Sequence, residues 1–469
     1  MASATQPLSP PNQLVKGLGL ISATTLVMGS MIGSGIFIVS ADVARQVQSP
    51  GLLILTWIVT SVLTIIAALS YGELAAAMPQ AGGQYVYLRE AFGPLYGFLY
   101  GWTLFLVIQT GTIAAVAVAF AKYAGVFFPG ISASHYLVGQ GKFGLTTQQL
   151  VAIVITLLLT AINTRGIRTG AIVQNVFTFA KTAALLALVI LGFALGRNPQ
   201  AVASNFTGFW RNADWGINTV RLIGVAMVGT LFSSDAWNNV TFTAGEVRNP
   251  KRNLPLSLAL GVGIVSLLYL ACNFVYLNVL TLQQIQTAPE DRVATAVVSV
   301  MFGPIAVQLM AAAIMVSTFG CVNGLILSGA RVYYTMAQDG LFFRKAGDLD
   351  KGTRAPVFAL AIQCAWAVLL TLSGQYNDLL DYVIFAVLLF YILTIAGLFV
   401  LRRTRPDMER PYRAIGYPVL PAIYIAAGLT IEVLLLIYKP NYTFPGLAIV
   451  LLGIPVFFLW RNVAPAPGR

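Results

Sequence analysis

Read for apolar and polar positions alone, the chain divides into twelve long hydrophobic segments joined by short polar loops. They lie at residues 18–47, 51–77, 93–123, 148–164, 170–195 and 217–246, then at 255–279, 304–336, 356–373, 378–401, 417–438 and 443–460. About 20 predominantly apolar residues cross a bilayer as a helix, so each segment predicts one span. The pattern is that of an all-α polytopic membrane protein with twelve transmembrane helices.

Two of these spans are interrupted. Span 1 contains GSMIGSGIF at residues 29–37, with glycines at 29, 33 and 35. A glycine inside a helix costs about 1 kcal/mol relative to alanine, so this density predicts a break. Span 6 contains TLFSSDAWNNVT at residues 230–241, which sets Ser233, Ser234, Asp235 and two asparagines where an apolar run is expected. Broken backbone at membrane depth is tolerated only where it faces protein or a watery cavity. The N–H groups of Ser34, Gly35 and Ile36 would open a new half-helix, whose positive dipole end suits a carboxylate. Carbonyls before the break, around Met31 and Ile32, suit a cation. A molecule with both charges on one carbon, an α-amino acid, matches that pair. The competing reading of the glycines is a close helix–helix packing face. Ser34 and Ser234 lie 200 positions apart, near the length of five spans with their loops. Interrupted helices at matching places of two halves mark transporters built from inverted repeats, with the site at the midplane. For the Asp235 side chain, capping the helix after the break is the structural alternative.

Composition narrows the class. The chain has 469 residues, 58% hydrophobic and 9% charged, which excludes an ordinary soluble domain. The net charge of +12 is spread over short loops and does not form a nucleic-acid patch. With spans placed as above, 19 of the 28 basic residues fall on the amino-terminal side and 8 on the other. Both termini are therefore expected in the cytoplasm, in a multi-pass protein of the plasma or inner cell membrane. The first apolar segment is too long for a cleavable signal. Cys272, Cys321 and Cys364 all lie in apolar stretches and read as packing residues, and His135 is the single histidine, in a loop. No HExxH motif or GxGD aspartate pair is present, which argues against an intramembrane enzyme. The run at 79–83 and the arginine-rich loop at 402–413 read as loop segments that shape gating and topology. In span 3, Gln109, Thr110 and Thr112 are either pocket residues or interhelical glue.

Three stretches carry a family resemblance: GSMIGSGIF, YGELAAAMPQAGGQYVYLREAFG at 71–93, and WNNVTFTAGEVRNPKRNLP at 237–255, with weaker support from STFGCVNGLILSGARVYYTMAQDG at 317–340. They resemble the amino acid–polyamine–organocation (APC) superfamily, and within it bacterial relatives of the L-type amino acid transporters. The resemblance implies an inverted five-plus-five repeat (the LeuT-like fold) with discontinuous helices 1 and 6, alternating access, and no cofactor. The expected organisation is a tail at 1–16, a first repeat at 17–195, and an outer loop at 196–216. A second repeat follows at 217–402, a cytoplasmic loop at 403–416, helices 11 and 12 at 417–461, and a tail at 462–469. The resemblance also implies that the N–H groups of Ser34 and Gly35 hold the substrate carboxylate, with Ile36 beside them. The carbonyls of Met31, Phe232 and Asp235 would hold the ammonium, next to Ser233, and the Phe232 ring would close over the substrate. A tyrosine and a glycine common around the second break are Ser234 and Ala236 here.

The one basic residue outside the loops is Lys181, in the middle of span 5. A charged side chain at that depth costs at least about 2.5–3.5 kcal/mol, and at 1.5 Å per residue it lies too far from either end to reach water easily. Merely bonding helix-end carbonyls is its structural alternative. The resemblance implies that its ammonium stands where sodium-coupled members bind their ion, between the carbonyls near Gly29 and Ser30 and span 8 around Ser317. The expectation is sodium-independent amino acid transport by an exchanger or a proton-coupled symporter. Sodium coupling is the rival, since Ser317 and Thr318 supply hydroxyls suited to a small cation. The expected partners are the amino acid and the lipid bilayer; a partner subunit is left open. A side chain at Gly35 is expected to intrude on the substrate.

Overall fold

The computed structural model describes residues 14–139, 144–373 and 376–463, without the side chains of 376–382, 442 and 461–463. Of the tails expected at 1–16 and 462–469, residues 1–13 and 464–469 lie outside the described residues, as does Lys142.

The first half comprises α1 (Leu20–Met31), α2 (Gly35–Val47), α3 (Pro50–Ala77), α4 (Gln84–Phe92) and α5 (Pro94–Thr103). A π-turn, Leu104–Ile108, carries α5 into α6 (Gln109–Ala124), and α7 (Thr147–Thr164) and α8 (Ile167–Leu195) follow. A small hairpin of β1 (Tyr136–Val138) and β2 (Leu145–Thr146) sits in the loop before α7. Then come α9 (Pro199–Thr207), α10 (Ile217–Ser233), α11 (Asn239–Phe242), α12 (Pro250–Val279), α13 (Leu282–Gln286), α14 (Val293–Phe302) and α15 (Ala306–Gln338). The chain ends with α16 (Val357–Ser373), α17 (Tyr376–Thr404), α18 (Val419–Tyr438) and α19 (Pro440–Val463).

Among the described residues, nine helices are long and apolar enough to cross a membrane, and the bent pair α1–α2 makes a tenth. The apolar helices α10 and α16, at 17 residues each, stand where spans 6 and 9 are expected. The protein is thus a polytopic helical membrane protein. Local chemistry starts these helices as expected: Ser49 accepts from Leu52 N ahead of Pro50, and Thr146 and Gln149 form a reciprocal capping box.

Span 1 breaks at the predicted place, with α1 and α2 bent by 42°. Span 6 departs from its expected length. Beyond Ser233 the helix does not resume fully. Ala236 takes a left-handed φ of 62°, only the four-residue α11 follows, and a 3-10 turn at Ala244–Glu246 ends the segment. The polar run TLFSSDAWNNVT offers side-chain partners that compete with helix bonds. Packing around the breaks is tight: α12 runs along α3 and α1, and α15 lies against α6 and α8. Along α8, Gln174, Thr178, Lys181, Leu185 and Leu188 form one buried stripe, while Ile172, Val176, Phe179 and Ile190 are exposed on the other face. A helical period thus aims the polar residues of α8 at α1 and the apolar ones at lipid.

Candidate functional site

The two breaks meet. A Cβ added to Gly35 would fall onto Ser233, 2.8 Å from its Cβ and 3.0 Å from its Cα. Glycine at 35 therefore permits the start of α2 to approach the end of α10, and the missing side chain points at Ser233. This packing gives glycine at 35 a structural reason beside the expectation that a side chain there would intrude on substrate. Gly33, whose added Cβ would meet only Cys321 Sγ at 3.5 Å, has room. Gly35→Ala should therefore lower both thermal stability and transport, whereas Gly33→Ala should leave the melting temperature near the native value; a thermal-shift comparison checks this.

Among the described residues, the N–H groups of Ser34, Gly35 and Ile36 donate to no protein acceptor, and the first bond of α2 runs from Phe37 N to Ser34 O at 3.1 Å. Ser34 and Phe232 sit together on a cavity of about 720 Å³ that opens past Val116 and Tyr123 to Lys122, Glu290 and Arg292. At its mouth Glu290 bonds both Lys122 (2.8 Å) and Arg292 (2.6 Å). The Lys122 hydrogen bond holds the Glu290 carboxyl below the usual carboxylate range.

The opposite side is closed. Gly17 N and Leu18 N donate to Glu246 O (2.9 and 3.0 Å), and Arg248 N donates to Leu18 O (2.8 Å). The Glu246 carboxylate takes Arg331 in a bidentate pair at 2.7 and 3.1 Å, with both side chains 1% exposed. In the 79–83 run, Gly82 N donates to Phe242 O (2.9 Å), and Gly83 leaves no space for a Cβ beside Thr241. This loop with its glycines thus seals the segment after the second break.

Lys181 lies 1% exposed between α8, α1 and α15. Its Nζ donates to Gly29 O (2.6 Å), Ile32 O (2.6 Å) and Ser317 O (3.2 Å). Ser317 Oγ donates to Ile32 O (3.0 Å) and Gly33 O (2.9 Å). An ammonium has three donors, and all three end on the carbonyls at the first break and on span 8. Ser30 is adjacent but not a ligand: its carbonyl accepts from Cys321 Sγ at 3.2 Å. Thr318 does not join this group. Its hydroxyl bonds back to Ile314 O (2.8 Å), because one residue along a helix turns the side chain about 100° away.

Other expected residues hold mixed positions. Met31 O accepts from Tyr269 OH (3.1 Å) and Gly33 N (2.9 Å). Ser233 Oγ donates to Gly229 O (2.9 Å), and Ile36 O accepts from Tyr276 OH (3.0 Å). The Asp235 carboxylate accepts from Tyr391 OH on α17 (2.6 Å), and α11 has no side-chain cap. Gln109 is glue, donating to Leu325 O (2.7 Å), while the Thr110 and Thr112 hydroxyls bond back to Phe105 O and Ile108 O. Gln109 and Thr112 also line a small chamber with Asp235 and Tyr391 on the closed side of the second break. Sequence reasoning missed Tyr269, whose hydroxyl reaches both Met31 O and Ser233 O (3.2 Å) and so ties the two breaks together. Nothing in the apolar pattern of span 7 distinguishes that tyrosine from a packing residue.

This geometry defines a helical membrane protein in which two helix breaks face each other, with three backbone N–H groups at the start of α2 donating to no acceptor among the described residues. The amino acid permease family model matches residues 18–458. The b(0,+)-type amino acid transporter 1 of Mus musculus is 29% identical over 453 residues, covering 95% of this chain and 88% of that protein. The large neutral amino acids transporter small subunit 2 of Homo sapiens is 31% identical over 462 residues, covering 96% and 82%. The serine/threonine exchanger SteT of Bacillus subtilis is 29% identical over 449 residues, covering 95% and 97%. The chain belongs to the amino acid permease family, a family of transporters and not of enzymes.

Proposed function

We propose that the protein is a secondary transporter of small or medium neutral L-α-amino acids, working by alternating access without sodium as an exchanger or a proton-coupled symporter. The observation that carries this reading is the set of unpaired N–H groups at Ser34, Gly35 and Ile36, beside a cavity that also reaches Phe232. They form the N-terminus of a 13-residue helix, where backbone donors and the dipole both favour an anion. In this reading they take the substrate carboxylate. The ammonium goes to the carbonyls of Phe232 and Asp235, with Met31 O shared with Tyr269. Relatives named as carriers of neutral amino acids, and of serine and threonine, support the substrate class.

The Lys181 ammonium supports sodium independence, because a fixed cation among the oxygens of Gly29, Ile32 and Ser317 repels a second one. The fold reading is twelve spans in two inverted repeats, 17–195 and 217–402. With both termini cytoplasmic, as the loop charges favour, the cavity faces outward and the Glu246–Arg331 side is the closed inner gate. The human relative is named a small subunit; here Cys272, Cys321 and Cys364 are all buried, which leaves no surface thiol for a disulfide to a partner chain.

The test is competition in proteoliposomes that take up a labelled neutral amino acid. Unlabelled L-amino acids should compete, and the corresponding amines lacking the carboxylate should compete at least about tenfold more weakly, the equivalent of one lost charge-assisted hydrogen bond of about 1.5 kcal/mol or more. Equal competition by the amines would contradict the headgroup model.

A further inference from the structure

Glu432 lies inside the apolar helix α18, only 6% exposed, and neither carboxyl oxygen has a hydrogen-bond partner among the described residues. It shares the buried face of that helix with Tyr424, Gly428, Ile431 and Leu435, and that face packs against α17, α10 and α3. It is six residues from Tyr438, about 9 Å at 1.5 Å per residue. Tyr438 marks the end on the cavity side, where it packs under the Arg221 guanidinium of α10.

An ionised carboxylate buried without a partner is among the costliest groups a membrane protein can carry, whereas the neutral acid is tolerated. In this packing the side chain therefore holds a proton. Among the described side chains, no neighbouring charge offers it an alternative. On α10, Arg221 lies beyond it over Tyr438. On α17, Tyr391 is committed to Asp235, and Asp378 and Asp381 fall outside the described side chains. On α3, Glu73 pairs with Arg402 and Arg410, and Tyr71 packs edge-on against Trp237. The part of α19 that packs nearby carries no described charged side chain.

The position links this proton to the moving parts of the site. Helix α10 carries the second break, and it packs against α18, where the Leu434 side chain lies over Gly224. Further along the seam, Tyr424 of α18 lines a small cavity with Thr64, Leu231, Ser234, Asp235 and Tyr391. Any displacement of α10 against α18 therefore changes the surroundings of Glu432 and Asp235 together.

We propose that Glu432 is a proton-binding site on the α10–α18 seam, and that its proton is carried with the amino acid. In the balanced step, a proton from the cavity side forms the O–H bond of the acid. When α10 leaves α18 and water reaches the carboxyl, that bond breaks and the proton passes to the opposite side. This rests on the transport reading above and selects its proton-coupled form.

The experiment reconstitutes the full-length protein and measures a labelled neutral amino acid in two modes: exchange at equal pH, and net accumulation against an acid-outside gradient. At one proton per substrate, each unit of gradient supports about tenfold accumulation. The native protein should do both. Glu432→Gln mimics the neutral acid, so it should keep exchange and lose the accumulation, and Glu432→Asp should restore part of it. Glu290 cannot imitate this effect near neutrality. Its lowered pKa keeps its ion pairs intact above the ordinary glutamate range, and they are lost only as the pH falls through the lowered value. Native protein that exchanges but ignores the gradient overturns the proton site and leaves the transport reading standing. Accumulation by Glu432→Gln, or loss of its exchange in folded protein, also overturns the proton site. Native protein that does neither overturns both readings.

Discussion

Lys181→Ala is expected to reduce transport by at least about tenfold in protein that still folds and inserts. The ammonium spends its three donors on Gly29 O, Ile32 O and Ser317 O. Removing it strips Gly29 O of that donor, while Ile32 O keeps Ser317 Oγ. An unsatisfied buried carbonyl costs about 1–3 kcal/mol, and 1.4 kcal/mol is a factor of ten. The loss falls on the carbonyl end of the first break, one turn from the N–H groups proposed to hold the substrate. Lys181→Met, which keeps most of the length without the charge, separates the ammonium from simple packing. Uptake rates normalised to reconstituted protein provide the measurement. Native rates in Lys181→Ala would show that the residue only fills space.

Glu246→Gln is expected to destabilise the protein by about 3–5 kcal/mol, because it leaves the Arg331 guanidinium buried without its counter-charge. The pair is bidentate and 1% exposed, and Arg331 Nη1 also donates to Leu327 O (2.6 Å). The Glu246 carbonyl meanwhile holds Gly17 and Leu18. The loss should therefore also loosen the closed side. Chemical unfolding in detergent reads the stability. The double variant Glu246→Gln with Arg331→Met removes the orphaned charge and should recover part of the loss. Strict additivity of the two single losses would mean that the residues are not coupled.

The apolar pattern was enough to read a polytopic helical membrane protein, because long hydrophobic runs have few other uses in a chain this poor in charge. Among the described residues, nine helices and the bent pair α1–α2 are long and apolar enough to cross. The break at Gly29–Phe37 was legible because glycines and serines contradict their surroundings. That Lys181 must find oxygens was legible because a lone cation at membrane depth is costly, whereas which oxygens, near Gly29 and around Ser317, came from the family resemblance and not from the pattern of the chain. What sequence missed are contacts set by packing. The spacing of Thr318 and Ser317 could not say which hydroxyl turns inward, and one residue of helix rotation decided it. Tyr391 on Asp235 and Tyr269 between the breaks join residues 156 and up to 238 positions apart, which no local pattern encodes. The short helices α4, α9, α13 and α14 went unpredicted because they are too brief or too polar to register as spans. The truncated helix after Ser233 was hidden by a hydrophobic average that ignores how asparagine and threonine bond to their own backbone.

The most direct measurement is uptake of a labelled neutral L-amino acid into proteoliposomes, with and without internal amino acid, in sodium and in choline. The predicted result is saturable uptake, faster with amino acid inside and unchanged when choline replaces sodium. Uptake no greater than in protein-free liposomes, or uptake that collapses in choline, would contradict a neutral amino acid carrier with a lysine ammonium in the place of a sodium ion.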